Sequence, residues 1–257
     1  MTNRILNRGK SPINTIINGP EVIFSSSDKA EPFTTNFAAN STLDDSNQSL
    51  SDSPSRTDSI VPDFHVSVKE VSCLIHELEA NKATGPDQIP VVVLKNLSPE
   101  LSLIIAKLFN RCIKEKCFPS SWKLSSVRPV FKNCGEHSTP SQYRPISLLS
   151  TITEVFEIIL NKHVMDHLSK ADLLSDTQNG FCSSRSTADV LTVITHRISR
   201  ALDSNFDAVL LHWTSQRHFE RFGKRDRITD RTYAIIKSFL TGSSMKVVIN
   251  VQSSDVH

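Results

Sequence analysis

The sequence predicts a mixed α/β domain of the α+β kind, rich in helices and poor in strands, and three observations carry that prediction. Apolar residues recur at helical spacing behind polar caps over 66–82, 98–118 and 186–202. Residues 124–131 read as a strand, followed by a polar turn over 132–142 and a second extended segment from Tyr143, which together make a hairpin. A last β-rich run, 245–251, follows a turn at Gly242.

The 257 residues suffice for one large domain or two small ones, and 38% apolar content is enough for a core. Charge is unevenly spread. Residues 1–63 carry five Lys and Arg against eight Asp and Glu, a net of −3, and the remainder carries a net of +5. A modestly basic body is compatible with a nucleic-acid partner without demanding one. The five cysteines, Cys73, Cys112, Cys117, Cys134 and Cys182, are odd in number and lack CxxC spacing, which predicts reduced thiols in an intracellular protein. The first ten residues lack an apolar secretory core, and no run of eighteen apolar residues occurs, so neither secretion nor a membrane partner is expected.

Residues 1–63 are dominated by Ser, Asn, Thr and Asp. So little apolar surface hardly offsets chain entropy, and the expectation is a largely disordered polar linker with at most a short helix at 29–37. The ordered domain is then 64–257, beginning near Val66. Ser67 with Glu70 reads as a capping box, Val66 with Val71 as its staple, and Val68, Val71, Ile75 and Leu78 as the buried stripe. Thr84-Gly85-Pro86-Asp87 is turn chemistry that closes this helix by Lys82. Ser98-Pro99-Glu100 starts another helix, with Ser98 as cap and Leu101, Ile104, Ile105, Leu108 and Cys112 as its stripe. A wide apolar face runs over 148–168. His163 and His167 lie four apart there, but without a third ligand they read as a packed pair. Ser186 with Asp189 caps a further helix, striped by Val190, Leu191, Ile194, Ile198, Ala201 and Leu202.

Lys132 and Arg144 stand at the two ends of the polar turn, so the hairpin brings two cations together. Arg offers a planar fork to phosphate oxygens and Lys a mobile point charge, which suits a polyphosphate; the competing reading is two solvated loop cations. Arg128 lies inside the strand, and sequence does not settle which face it occupies.

Trp122-Lys123, the run V-R-P-V-F-K at 127–132 and Y-R-P-I-S-L-L at 143–149 resemble the fingers motifs of reverse transcriptases from non-LTR, LINE-type retrotransposons. N-K-A-T-G-P-D at 81–87 precedes them, and Q-N-G-F at 178–181 with S-R-S-T at 184–187 follows, in the family's order. The resemblance runs from about Lys29 to the end and implies the helix-rich fingers and a partial palm of a right-hand polymerase, without a thumb. It implies an RNA template, a DNA primer and deoxynucleoside triphosphates as partners, with Lys132, Arg144, Arg128, Lys82 and Arg185 as the residues that would touch template or nucleotide. For Lys82 an ordinary helix C-cap explains the residues equally well. Asn179 stands where the family has an aromatic residue, and Cys182 where it has Arg, which should weaken phosphate binding in that loop.

The family's two aspartate stations hold paired Mg²⁺. The first should follow Leu202 as a strand reading like A-L-D-I-S-K-A-F-D, yet residues 208–223 read A-V-L-L-H-W-T-S-Q-R-H-F-E-R-F-G, with no aspartate. Plausible codons for 212–222, read in a shifted frame, spell Leu-Asp-Ile-Ser-Lys-Ala-Phe. The expectation is a pair of compensating frame changes bracketing about 209–230. No catalytic or metal-binding residue is therefore assigned, no cofactor is expected to be retained, and the chain is expected to be inactive as a polymerase. The runner-up readings are a residual RNA or primer–template binding module and a transposon remnant without a selected role. With the palm sheet incomplete, 245–251 should keep an unpaired edge and an uncovered apolar face.

Overall fold

The computed structural model describes residues 13, 15–18, 21–41, 62–174, 179–180, 184–204, 206, 230–249 and 252–253. Those residues fall into two compact units: 13–41, 62–162 and 230–253 form one, and 163–206 the other.

In the first unit a short hairpin, β1 (Ile16–Asn18) and β2 (Glu21–Ile23), precedes helix α1 (Ser26–Ser41). Then come α2 (Val68–Glu77), α3 (Val91–Asn96) and α4 (Ser98–Glu115). A 3₁₀ turn at Ser120–Lys123 leads into β3 (Leu124–Phe131), which hairpins into β4 (Tyr143–Leu148). Helix α5 (Thr151–Lys170) begins in this unit and ends in the second, which also contains α6 (Thr187–Asp203). The first unit is completed by α7 (Asp230–Leu240), β5 (Ser244–Ile249) and β6 (Gln252–Ser253).

The helical core gathers α2, α4, α5 and α7. Phe156 stacks on Phe109 with ring centroids 4.5 Å apart, and Phe118 and Trp122 close around the pair. Ser67 caps α2 as expected, its Oγ accepting the Glu70 N–H at 3.1 Å, and Val66 and Val71 are fully buried in the same cluster. Of the stripe expected in α2, Val71, Ile75 and Leu78 are buried and Val68 is 40% exposed, whereas the α4 stripe is rotated from expectation. In α4 the buried face is Ser98, Ser102, Ile105, Ala106, Phe109, Cys112 and Ile113, while Ile104 and Leu108 face out. Ser98 is not a cap: α3 runs into α4 through Leu97, and the Ser98 hydroxyl turns inward to the Ser72 and Ser102 hydroxyls, at 3.2 and 3.1 Å. The helix ends on left-handed Lys116, after which Cys117 N–H donates to Cys112 O at 3.1 Å.

The sheet has the order β4-β3-β5-β6. β3 and β4 are antiparallel, β3 and β5 parallel, and β5 and β6 antiparallel. Alternation puts Val127, Phe131, Tyr143 and Val247 on one face. Helix α1 covers that face with Ala30, Phe33 and Phe37; the Phe33 and Tyr143 rings meet edge to face at 4.9 Å. Helix α1 contains the short helix expected at 29–37 and extends it at both ends, with residues 30, 33 and 37 as a narrow buried stripe on an otherwise polar segment. One expectation is corrected: the last long strand is neither unpaired nor bare, since β3 and β6 flank it and α1 lies over it.

In the second unit, α6 has a complete capping box: Ser186 Oγ accepts from Asp189 N–H, and the Asp189 carboxylate accepts from Ser186 N–H at 2.6 Å. None of its residues is buried: of its apolar stripe Leu191 and Leu202 are exposed, and Val190, Ile194, Ile198 and Ala201 are half-buried. Cys182 and residues 207–229, which hold nearly all of the expected frame-change span 209–230, lie outside the described residues. No helix among the described residues is long and apolar enough to cross a membrane.

Candidate nucleic-acid interface

The interface is built on the β3–β4 hairpin, whose register pairs Phe131 with Tyr143, Val130 with Arg144 and Arg128 with Ile146. The ladder extends one step further, because Lys132 N–H donates to Gln142 O at 2.9 Å. Side chains alternate across a sheet, so Arg128, Lys132 and Arg144 share the face opposite α1. All three are exposed. The parallel register adds a fourth cation that sequence reasoning missed: Lys246 pairs with Ser126 and therefore projects from the same face. β3, β4 and β5 contain three Lys and Arg residues, with Lys132 one position beyond β3, and not one Asp or Glu. The local signal of Lys246 is a lone Lys in a strand; only a pairing across more than a hundred residues assigns it to this site.

The connecting loop is held from both sides. Asn133 and Gly135 take left-handed conformations, and Lys132 Nζ donates to Ser141 O at 2.7 Å. Below the basic face, the Phe131 and His137 rings stack at 3.7 Å, and Tyr143 Oη donates to His137 O at 2.7 Å. β1 adds a tether, with Ile17 N–H donating to Ser138 O at 2.9 Å. Two aromatic side chains and a strand thus brace a loop that composition alone marks as mobile.

Lys82 does not join this group. Its ammonium is paired with Glu154 on α5, and both side chains are mostly buried. The whole 82–87 turn is docked on the link between β4 and α5: Ser150 Oγ donates to Asp87, and Gly85 lies against the backbone of Leu149 and Ser150. In this structure Lys82 therefore clamps the turn to α5. Arg185 belongs to the second unit, immediately before the α6 cap, and is half-buried.

Beside the clamp, burial pushes the Glu157 carboxyl up from 4.5 to about 7, with the Glu154 charge adding to the shift and Lys82 opposing it. A carboxyl whose pKa is higher folded than unfolded holds its proton longer in the native state. Stability therefore falls as pH rises from about 4.5 to about 7. Because the group is partly solvated, the full shift overstates the energy, and Glu157→Gln should gain roughly 1 kcal/mol above that window. Urea unfolding across the pH range checks this: the substitution should flatten the slope, and a slope unchanged in the variant would place its origin elsewhere.

Among the described residues no group of three or more His, Cys, Asp or Glu side chains could hold a metal ion. Residues 208–223 contain a single acid, Glu220.

The described residues thus form a mixed α/β domain with four cations on one sheet face. Over 196 residues, 74% of the chain, it is 26% identical to the probable RNA-directed DNA polymerase from transposon BS of Drosophila melanogaster. It is 28% identical over 73% of its length to the corresponding probable enzyme from the X-element of the same fly, and 23% identical over 74% to that of the mobile element jockey. The curated relatives of this chain are RNA-directed DNA polymerases of non-LTR retrotransposons, the group to which its motifs point. The chain spans about a fifth of the length of these relatives. No protein-family model matches it.

Proposed function

We propose that this chain is the fingers and the beginning of the palm of a non-LTR retrotransposon RNA-directed DNA polymerase, which binds nucleic acid but does not polymerise. The observation that carries the binding half is the sheet face with Arg128, Lys132, Arg144 and Lys246 and no acidic residue in its three strands. Such a face attracts phosphate and releases counterions on binding, so affinity for single-stranded RNA should fall steeply with salt. Lys132→Ala with Arg144→Ala should weaken RNA binding about tenfold to a hundredfold and flatten the log–log salt slope by about 1.4. Filter binding across salt concentrations measures both, and an unchanged slope would move the interface off the hairpin. A chain without salt-dependent RNA affinity would leave the transposon remnant as the reading.

The catalytic half rests on residues 208–223, where the motif that supplies the first metal-binding aspartate in the resembling family reads without one. Electrostatic stabilisation by metal is central to phosphoryl-type transfer, so its loss should abolish turnover. Primer extension with a homopolymer template and Mg²⁺ or Mn²⁺ is the test. Template-dependent incorporation above a heat-denatured control overturns the inactivity. Genomic codons for 209–230 that cannot spell the aspartate motif in another frame overturn the frame-change origin.

A further inference from the structure

We propose that the outer face of α4 is a self-association seam on which a second copy of this chain packs antiparallel. Leu97, Leu101, Ile104 and Leu108 follow one another at steps of four, three and four, the spacing of the a and d positions of a helix-pairing seam. Leu97, Ile104 and Leu108 are 45, 62 and 39% exposed, and the half-buried Leu101 joins them to the core. The helix already buries its opposite face, from Ser98 to Ile113, in its own unit. A helix with one core needs one apolar stripe, and this one has two. Val92 and Val93, 44 and 43% exposed on α3, add apolar surface at the same end.

Charge selects the occupant. The positions flanking the seam on its open side are Glu100 and Lys107, seven residues apart and both exposed. In an antiparallel pair related by a two-fold axis, Leu101 of one copy meets Ile104 of the other and Leu97 meets Leu108. The same rotation brings Glu100 of one copy beside Lys107 of the other, twice over, which is the isologous self-complementarity that a two-fold dimer requires. A parallel pairing offers neither charge an opposite partner. The rest of the outer face is balanced, because Arg111 Nε already donates to Glu115 at 2.8 Å, so the surface favours neither an anionic membrane nor RNA.

The experiment is sedimentation equilibrium of the 257-residue chain over a range of concentrations, with circular dichroism melts to confirm folding. A concentration-dependent dimer is expected. Ile104→Lys, at a position outside the core and one turn from Glu100, should keep the helix and raise the dimer dissociation constant about tenfold or more. Glu100→Lys alone should weaken the dimer several-fold by creating two like-charge pairs, and adding Lys107→Glu should restore it. A monomer at every concentration, a dimer unaffected by Ile104→Lys, or a double reversal as weak as the single one each overturns the seam. Binding of anionic vesicles or RNA that Ile104→Lys abolishes, without self-association, assigns the face to another partner and likewise overturns it.

Discussion

Replacing Phe156 with alanine should cost about 3–5 kcal/mol, a large part of the stability of a domain of this kind. The side chain is fully buried and meets three other rings. Phe109 of α4 stacks on it at 4.5 Å, Phe118 lies nearly parallel at 5.8 Å, and Trp122 crosses edge-on at 5.9 Å. Those partners come from α4, from the segment after its C-cap and from the 3₁₀ turn that feeds β3. A cavity at Phe156 is bounded by rings, and rings cannot bend into a void as a flexible Met could. The transfer and cavity terms should therefore both be paid nearly in full. Phe156→Leu, which keeps much of the volume, should cost less than half as much. Urea midpoints at constant m-value measure the pair; a loss below about 1 kcal/mol for alanine would mean that this cluster is not the core of the unit. Because Trp122 lies in the 3₁₀ turn that feeds β3, the alanine variant should also lose RNA affinity near its melting transition, whereas the leucine variant should keep it.

What sequence disclosed and what it hid divide along the range of the interactions. The hairpin was legible because both strands, their turn and their partners lie within some twenty-five residues, and the α2 and α6 caps were legible because a cap needs only four. Helix α1 was legible only as a short helix at 29–37 without a partner, although Ala30, Phe33 and Phe37 are spaced as a buried stripe. Its composition is polar, Pro32 interrupts it, and the sheet face it covers is assembled from residues more than ninety positions away. The same separation concealed Lys246, whose membership of the basic face depends on a parallel pairing between 124–127 and 244–247. The Lys82 ion pair was hidden for a different reason: the motif is the same whether its ammonium reaches a phosphate or a carboxylate, and Glu154, its partner here, lies 72 positions on. In α4 periodicity alone could not choose between two apolar stripes, because the helix carries both.

Gly85→Ala should destabilise the fold by about 3 kcal/mol, through lack of space rather than backbone strain. A Cβ built at this position would stand 2.2 Å from Leu149 O, 2.4 Å from its carbonyl carbon and 2.6 Å from Ser150 N. All three are backbone atoms of the link between β4 and α5, so no rotamer change relieves the contact. The turn must lift away, and lifting it breaks the Ser150 hydroxyl bond to Asp87 and the Lys82 ion pair with Glu154. Lys82→Met tests the clamp without the collision; removing a partly solvated pair should cost about 1 kcal/mol or less, well short of the glycine variant. The comparison also separates position from charge at the basic face. Gly85→Ala removes no cation, so its salt slope for RNA binding should match wild type even where affinity drops, because β4 ends at Leu148, one residue before the contact. A glycine variant as stable as wild type would show that the turn does not rest on this link, and a flattened slope would show that the 82–87 turn itself touches RNA.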